Sequence, residues 1–506
     1  MRWELDWLDN RARITPNTQA VIDAETNRTW NYIQLNDRAI SFANWLLGQG
    51  VNKGDRIALL APNHISYFDL LFACKKIGAI FVPLNSRLSI NEINDILGDC
   101  APILVGVHVK FQDVFSQIGE NTDFRKFFVG NSHYEVIATQ YSSPMKEVEV
   151  NEDTPLLMIY TGGTTGKPKG VVLTNRSVLW NGMNTVLSWN LSSDDITLTY
   201  IPMFHTGGLN ALTIPILLTG GTVVIADQFE TTKAIDYLKK YRCTIVLFVP
   251  TMYHMITQSK EFQQSDFPNM KTFLSGGAPC PLEIYEAFWE KGLLFKEGYG
   301  LTEAGPNNFY IDPKEANEKK GSVGKPMLFN RIKLMKENNQ EAEINEVGEI
   351  WIQGNHCFSM YWKNQEATQN TFSAGWLCTG DLARKDEDGY FYIVGRKKDM
   401  IITGGENVYP LEVEQWLLTH SMVDEVAVVG IPDEKWGEMV TAFMVLKDKM
   451  SISKEELITY CSHKLGKYKI PKQFYFLEQL PKTHVGKIDK KALKEMSAME
   501  SDLKRS

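Results

Sequence analysis

What constrains this chain most is the alternation of short apolar runs with helix-like stretches over its first half. The runs are DRIALLAPN (55–63), AIFVPLN (79–85), LLMIYTGG (156–163), GTVVIAD (221–227), RCTIVLFVPT (242–251) and KTFLSGGAP (271–279). Several are apolar at consecutive positions, which suits strands covered on both faces. Between them, TWNYIQLNDRAISFANWLLGQG places Leu35, Ile40, Phe42 and Leu46 near helical spacing. Strand alternating with helix predicts α/β layers with largely parallel sheets. After Gly395 the texture changes. Three short strands, EVAVVGI, VTAFMVL and QFYFLE, surround two helical patterns, one opening at Pro410, where proline suits a first turn. The expected architecture is a large multi-layer α/β N-terminal domain, 1–397, and a small mobile α+β C-terminal domain, 398–506. The junction GRKKDMIITGGENVYP joins a charged run to a glycine pair, as a hinge would.

Composition removes several function classes. Fifty-three Lys and Arg against 61 Asp and Glu leave a net charge of −8, which disfavours a partner read through its phosphate backbone. The seven cysteines contain no C-x-x-C pair, so neither a disulfide framework nor a thiolate zinc site is expected. The N-terminus lacks an apolar signal-type segment, and a reducing, cytoplasmic setting is expected. Residues 196–226 hold no Asp, Glu, Lys or Arg, yet Pro202, Pro215, Gly220 and Gly221 interrupt them. A spanning helix needs about 20 predominantly apolar residues in one run. Strand, loop, short buried helix and strand is the better reading.

The strongest chemical signal is TGGTTGKPKGVVLTN, directly after the strand LLMIY. Gly162, Gly163 and Gly166 let backbone N–H groups converge on an anion. Thr161, Thr164, Thr165, Lys167 and Lys169 add hydroxyls and positive charge suited to polyphosphate. A Walker A loop is excluded, because Thr161 and Pro168 stand where it needs Gly and Ser or Thr.

The loop, followed in order by SGGAP, GYGLTE, CTGD, GRKKDMIITGGENVYP and PKTHVGKI, resembles the adenylate-forming superfamily of acyl-CoA synthetases. The similarity runs along nearly the whole chain and is greatest toward bacterial fatty-acyl-CoA synthetases. It implies that Tyr299 and Gly300 meet adenine, Thr302 donates to the α-phosphate and Glu303 holds Mg²⁺. One carboxylate plus phosphate oxygens suits that ion. By the same resemblance, Gly276, Gly277 and Ala278 admit the adenine plane, Asp381 accepts the ribose hydroxyls and Arg396 accompanies it. Lys487 resembles the lysine that bridges the attacking carboxylate and the phosphate. His205 matches the residue at the mouth of the acyl pocket. Lys398 stands at the hinge, with Gly404 and Gly405 against CoA. Gly162, where Ser is common, and Cys378, where Ser or Arg is usual, depart from the pattern.

The implied reaction joins a fatty, medium- or long-chain carboxylate to CoA through an acyl-adenylate, with ATP, Mg²⁺ and CoA taking part. An aryl- or succinylbenzoate-CoA ligase, or an acyl-AMP ligase loading a carrier protein, is the alternative. The acyl wall is expected from Gly207, Gly208, Val249, Ala304 and Gly305, its glycines leaving room for a long tunnel and no buried Arg or Lys facing it. No nucleic-acid partner is expected. Membrane contact is expected to be peripheral at most, through DFRKFFVG (123–130), although a helix end leading into a buried strand is the preferred reading there. A homodimer is an open expectation.

Overall fold

The computed structural model describes residues 3–119, 124–140, 148–162, 168–447, 450–482 and 488–503, with side chains described as far as 497. Lys487 and residues Gly163, Thr164, Thr165, Gly166 and Lys167 lie outside the described residues. The chain divides into two compact units, each treated by itself. The larger comprises 1–280, 284–332 and 352–377; the smaller comprises 281–283, 333–351 and 378–506. Lys398 lies within the smaller unit, in the short turn Lys397–Asp399.

The larger unit is built on two seven-stranded sheets. One runs Phe295–Glu297, Thr272–Ser275, Ile245–Phe248, Ile196–Thr199, Thr222–Ile225, Gln19–Asp23, Thr29–Asn31, parallel except for the last pair. The other centres on Ile80–Pro83, Arg56–Leu60 and Leu104–His108, also parallel, and continues through the antiparallel pair Pro155–Thr161 and Lys169–Thr174 to the edge strand Met360–Tyr361. The six apolar runs all become strands, because helices cover them. The helix Tyr32–Gly48 is started by a capping box between Asn31 and Gln34 and buries Leu35, Ala39, Phe42 and Leu46. Full burial of each large apolar side chain contributes about 1.5–3 kcal/mol.

The uncharged stretch folds as expected, with strands Ile196–Thr199 and Thr222–Ile225 flanking the helix Thr213–Thr219, plus a π-turn at Gly207–Ala211. Among the described residues no helix is long and apolar enough to cross a membrane. DFRKFFVG forms the edge strand Arg125–Val129. Its Lys126 donates to the Phe115 and Ile118 carbonyls at 2.9 Å, and Phe128 stacks on Phe115 at 4.1 Å.

In the smaller unit, Val423–Asp433 and Gly437–Leu446 pair antiparallel, and Gln473–Phe476 adds in parallel. The helix Pro410–Leu418 begins on its proline and, with Lys454–Ser462, closes a core of Val413, Leu417, Val428 and Leu457. Three expected strands and the expected helix start are all present. The short antiparallel strands between Lys325 and Arg396 are not among the elements that periodicity predicts; half-exposed strands such as Val347–Gln353 carry too weak an apolar signal.

Candidate active site

In the larger unit the sequence motifs gather where the rule for parallel sheets puts ligands, at the carboxyl ends of strands. The segments after Thr199, Phe248, Ser275 and Glu297 supply His205, Val249, Gly276–Ala278 and Tyr299. His205 is partly exposed in a turn in which its N–H donates to the Pro202 carbonyl at 3.0 Å. The π-turn that follows is a form common at functional sites. Gly300 is required by a close approach. A Cβ there would lie 2.1 Å from the Pro306 carbonyl oxygen, so only glycine lets 299–300 pack on 305–306.

Glu303 sits in the turn Thr302–Ala304, next to buried Thr302. Its Oε1 accepts from the Tyr361 hydroxyl at 2.8 Å, and its carbonyl accepts from the Phe358 N–H at 2.7 Å. Lys169 Nζ lies 5.1 Å over the Tyr361 ring. Lys169 is register partner of Thr161 at the base of the glycine-rich loop, and Met360–Tyr361 pairs with the strand that Lys169 begins. Loop base, ring and carboxylate are thus one connected cluster. Burial and the neighbouring carboxylate push the Tyr361 phenol up, so it remains a donor at neutral pH. Among the described residues, Oε2 of Glu303 accepts no protein hydrogen bond, leaving one oxygen available. A single partly exposed carboxylate oxygen fits Mg²⁺, which keeps most of its shell for water and phosphate. No group of three or more His, Cys, Asp or Glu that could hold a metal occurs among the described residues.

The smaller unit carries its own cluster. Asp381 and Arg396 are register partners on adjacent strands, with Nε 2.8 Å from Oδ1. Asp381 is 5% exposed, and its N–H donates to Thr379 Oγ1 at 3.0 Å. Glu349 joins this cluster without any sequence signal, accepting from the Gly380 N–H at 3.0 Å and lying 3.4 Å from Lys397 Nζ. Gly404 and Gly405 both have positive φ and form the two-residue turn between Ile401–Thr403 and Glu406–Val408. Gly404 also backs onto Trp436, whose ring would lie 3.1 Å from an added Cβ.

The acyl wall differs from expectation. Gly208 and Gly305 do not open a tunnel, because their missing side chains make room for protein. A Cβ at Gly208 would meet the Pro202 carbonyl at 2.3 Å, and one at Gly305 would meet Asn181 Oδ1 at 2.6 Å. Beside Gly305, Asn181 and Asn210 the free space is about 10 Å³, enough for one water. Behind it runs a buried amide network: Asn307 donates to Thr185 and the Ala211 carbonyl, Asn330 to Asn308, and His356 pairs with Asn308. Burial holds the His356 imidazole down to about 4, hence neutral. Gly207 and Gly277 have only ordinary contacts, at 3.8 and 3.7 Å from an added Cβ, whereas one at Gly276 would press on Leu247 at 3.2 Å. Outside these wall segments, Lys296 in the strand Phe295–Glu297 is buried at 2% exposure.

Residues 8–362 match the AMP-binding enzyme family, and residues 412–487 match the AMP-binding enzyme C-terminal domain. The chain belongs to the AMP-binding enzyme family. Within that family it is 37% identical to a feruloyl-CoA synthase of Amycolatopsis sp, over 95% of this chain and 96% of that one. It is 35% identical to the long-chain-fatty-acid–CoA ligase FadD13 of Mycobacterium tuberculosis, over 96% and 97%. Among solved structures, o-succinylbenzoate CoA synthetase of Bacillus subtilis with its acyl-adenylate superposes at a TM-score of 0.87 and 31% identity, covering 97% of this chain and 98% of that one. The same synthetase has also been solved with ATP and magnesium ion. Like these relatives, this AMP-binding enzyme is an acid–CoA ligase working through an acyl-adenylate, with ATP and CoA as substrates.

Proposed function

We propose that the acid is a compact, ring-bearing carboxylate rather than a long alkyl chain. The filled wall carries this reading: the side chains absent at Gly208 and Gly305 are replaced by backbone and by Asn181, and the layer behind is amide rather than aliphatic. A long hydrocarbon driven through that layer would strip hydrogen bonds from buried asparagines, each costing about 1–3 kcal/mol. The 37% identity to a feruloyl-CoA synthase supports the same class. A fatty acid is the second reading, favoured by the FadD13 relative and by Leu247, half-buried in a central strand beneath Gly276.

In the proposed mechanism, Thr302 donates to the α-phosphate while Glu303, held by Tyr361, offers its remaining oxygen to Mg²⁺. The ion supplies charge neutralisation at the phosphates. Tyr299, Gly300 and Gly276–Ala278 flank the adenine, and Thr161, Gly162 and Lys169 hold polyphosphate together with Gly163–Lys167. Asp381, oriented by Arg396, accepts the ribose hydroxyls. Lys487 steadies charge as the carboxylate attacks the α-phosphorus and pyrophosphate leaves, and His205 guards the mouth of the acid pocket, which Gly207, Val249 and Ala304 help to line. The thiol of CoA then takes the acyl group and releases AMP, with Gly404 and Gly405 beside its arm and Lys398 as hinge. Positioning and electrostatics suffice; no covalent enzyme nucleophile is needed.

The test is AMP release in the presence of CoA across a panel of acids. Cinnamate-type acids should exceed decanoate and palmitate in kcat/KM by at least about tenfold. The opposite ranking by a similar margin rejects the aryl reading in favour of the fatty one.

A further inference from the structure

Lys296 lies on a row of side chains leading inward from the reaction site. Parallel registers pair Leu247 with Leu274 and Leu274 with Lys296, so all three project from one face of the sheet. Phe248, Phe273 and Phe295 project from the other, into the aromatic core. The row begins just beneath Gly276 and Gly298. Leu247 Cδ1 is 3.2 Å from an added Cβ at Gly276, and Leu274 Cδ1 is 3.3 Å from one at Gly298. Lys296 closes the row at the sheet edge, two residues before Gly298 and roughly 6–7 Å down the strand from it.

Its surroundings are unlike those of the other buried lysines. Lys75 donates to Asn175 Oδ1 at 2.9 Å, and Lys76 to Asp6 Oδ2 at 2.7 Å. Lys296 Nζ stands 4.3 Å from the Trp189 ring centroid and 4.6 Å from that of Tyr310, and it donates no hydrogen bond to a described residue. Trp189, 8% exposed, adds a second donor in the same place: its Nε1 is buried and has no partner among the described residues. Ring faces attract a cation but accept no hydrogen bond of ordinary strength. Asp312 acts on the amine through its charge and accepts no hydrogen bond from it, so two buried donors against two aromatic rings lack an acceptor among the described residues, and leaving such groups unpaired costs stability.

We propose that Lys296 is the specificity-determining group of the acid pocket, holding the oxygen substituent on the end of an aryl acid remote from its carboxylate. This rests on the aryl reading above and names the substituent. Trp189 and Tyr310 flank the ring's oxygenated edge, while Lys296 Nζ and Trp189 Nε1 donate to the oxygen. Burial pushes the Lys296 amine down to about 7, so near neutrality it can donate as an ammonium or accept a phenol's proton as an amine. A phenolic or alkoxy oxygen suits this slot better than a second carboxylate, whose desolvation one partly charged lysine does not repay.

The test compares kcat/KM for 4-hydroxycinnamate, cinnamate and a carboxylate-tailed analogue, measured as AMP release with wild type, Lys296→Met and Trp189→Phe. The wild type should favour 4-hydroxycinnamate over cinnamate by at least about tenfold. Lys296→Met should abolish or invert that ratio, kcat/KM falling more on 4-hydroxycinnamate than on cinnamate, and Trp189→Phe should lower the ratio by about threefold. An unchanged ratio in soluble Lys296→Met, or equal loss on both acids, overturns the proposal. Preference of the wild type for the carboxylate-tailed acid overturns the oxygen assignment. Should Lys296→Met not fold, an unchanged ratio in Trp189→Phe overturns it. Failure of the aryl reading is seen separately, as decanoate outrunning both aryl acids in wild type. Decanoate and its ω-hydroxy analogue then measure the same ratio, and indifference of Lys296→Met to that pair overturns the proposal.

Discussion

Arg38 and Lys296 are both buried cations of the larger unit, at 5% and 2% exposure, and they are treated in opposite ways. Arg38 grips Asp69 with two hydrogen bonds at 2.8 and 2.7 Å and reaches Glu135 at 2.9 Å, while Tyr134 donates to the same Asp69 at 2.7 Å. The adjoining carboxylates outweigh burial and hold the Arg38 guanidinium above its usual range, and Glu135 is held below its own by the two arginines that bond it. Lys296 has two rings beside it and no carboxylate hydrogen bond, Asp312 acting on it through charge alone. The first arrangement is complete within the protein and joins the helix Tyr32–Gly48 to the helix Ser66–Ile77. The second is incomplete and lies on the sheet face beneath the reaction site. A buried charge with every acceptor in place serves the scaffold, whereas one with donors to spare is suited to a ligand.

The largest expected effect breaks the complete pair. Asp69→Ala leaves Arg38 buried without its carboxylate and should cost ~3–5 kcal/mol in denaturant-unfolding experiments. Lys296→Met, which removes an amine whose charged form burial disfavours, should be neutral or stabilising. Equal losses would erase the distinction between them.

Next in size is the exposed counterpart of these buried charges. Glu303→Gln keeps volume but removes the charge proposed for Mg²⁺, and should lower turnover by ~10²–10³, only partly rescued by added Mg²⁺. Wild-type turnover in this variant would remove Glu303 from the mechanism. Tyr361→Phe, which removes one neutral-donor hydrogen bond to that carboxylate, should cost ~1 kcal/mol, or about fivefold, in kcat/KM.

The smallest effects are slopes of stability against pH. Lys296 has its folded value lowered from 10.5 to about 7, so the unfolded chain binds more protons between those values and stability should rise with pH across that window. Glu297, raised by burial from 4.5 to about 8, works the other way: the folded chain holds the extra proton, so stability should fall as pH rises from 4.5 to 8. Thermal melts of Lys296→Met and Glu297→Gln should lose these two slopes respectively. Arg38 remains charged throughout and contributes no slope there. Slopes that persist in both variants would show that neither group carries its assigned charge state.

These contrasts also mark how far the sequence could be read. The ordered motifs were sufficient for the family and the reaction, because glycines, a hydroxyl, a carboxylate and their spacing are local properties. Asp381 and Arg396 were expected as companions only through the family resemblance, and the strand register brings them within 2.8 Å. Tyr361 was not legible as Glu303's partner, being 58 residues away in a segment without a periodic signal. Glu349 was hidden likewise, contributing through a strand too exposed for its apolar pattern to stand out. The glycines of the acyl wall misled in a different manner. Composition cannot distinguish a glycine that leaves room for ligand from one that leaves room for a neighbouring backbone, as Gly208 does.

Lys296 and Glu297 show where the division falls. In sequence they are adjacent opposite charges before GYGLTE, indistinguishable from an exposed pair on a loop. On a strand, successive side chains point to opposite faces. Glu297 therefore turns into the aromatic core, accepting from Tyr285 at 2.8 Å, and Lys296 turns toward Trp189 and Tyr310. Sequence by itself determined the motif beyond the strand and, through the family resemblance, the chemistry of acid activation, since each is written in contiguous residues. Only the tertiary structure decided that both charges are buried and that they face different surroundings, because burial is set by what packs on each face from segments distant in the chain.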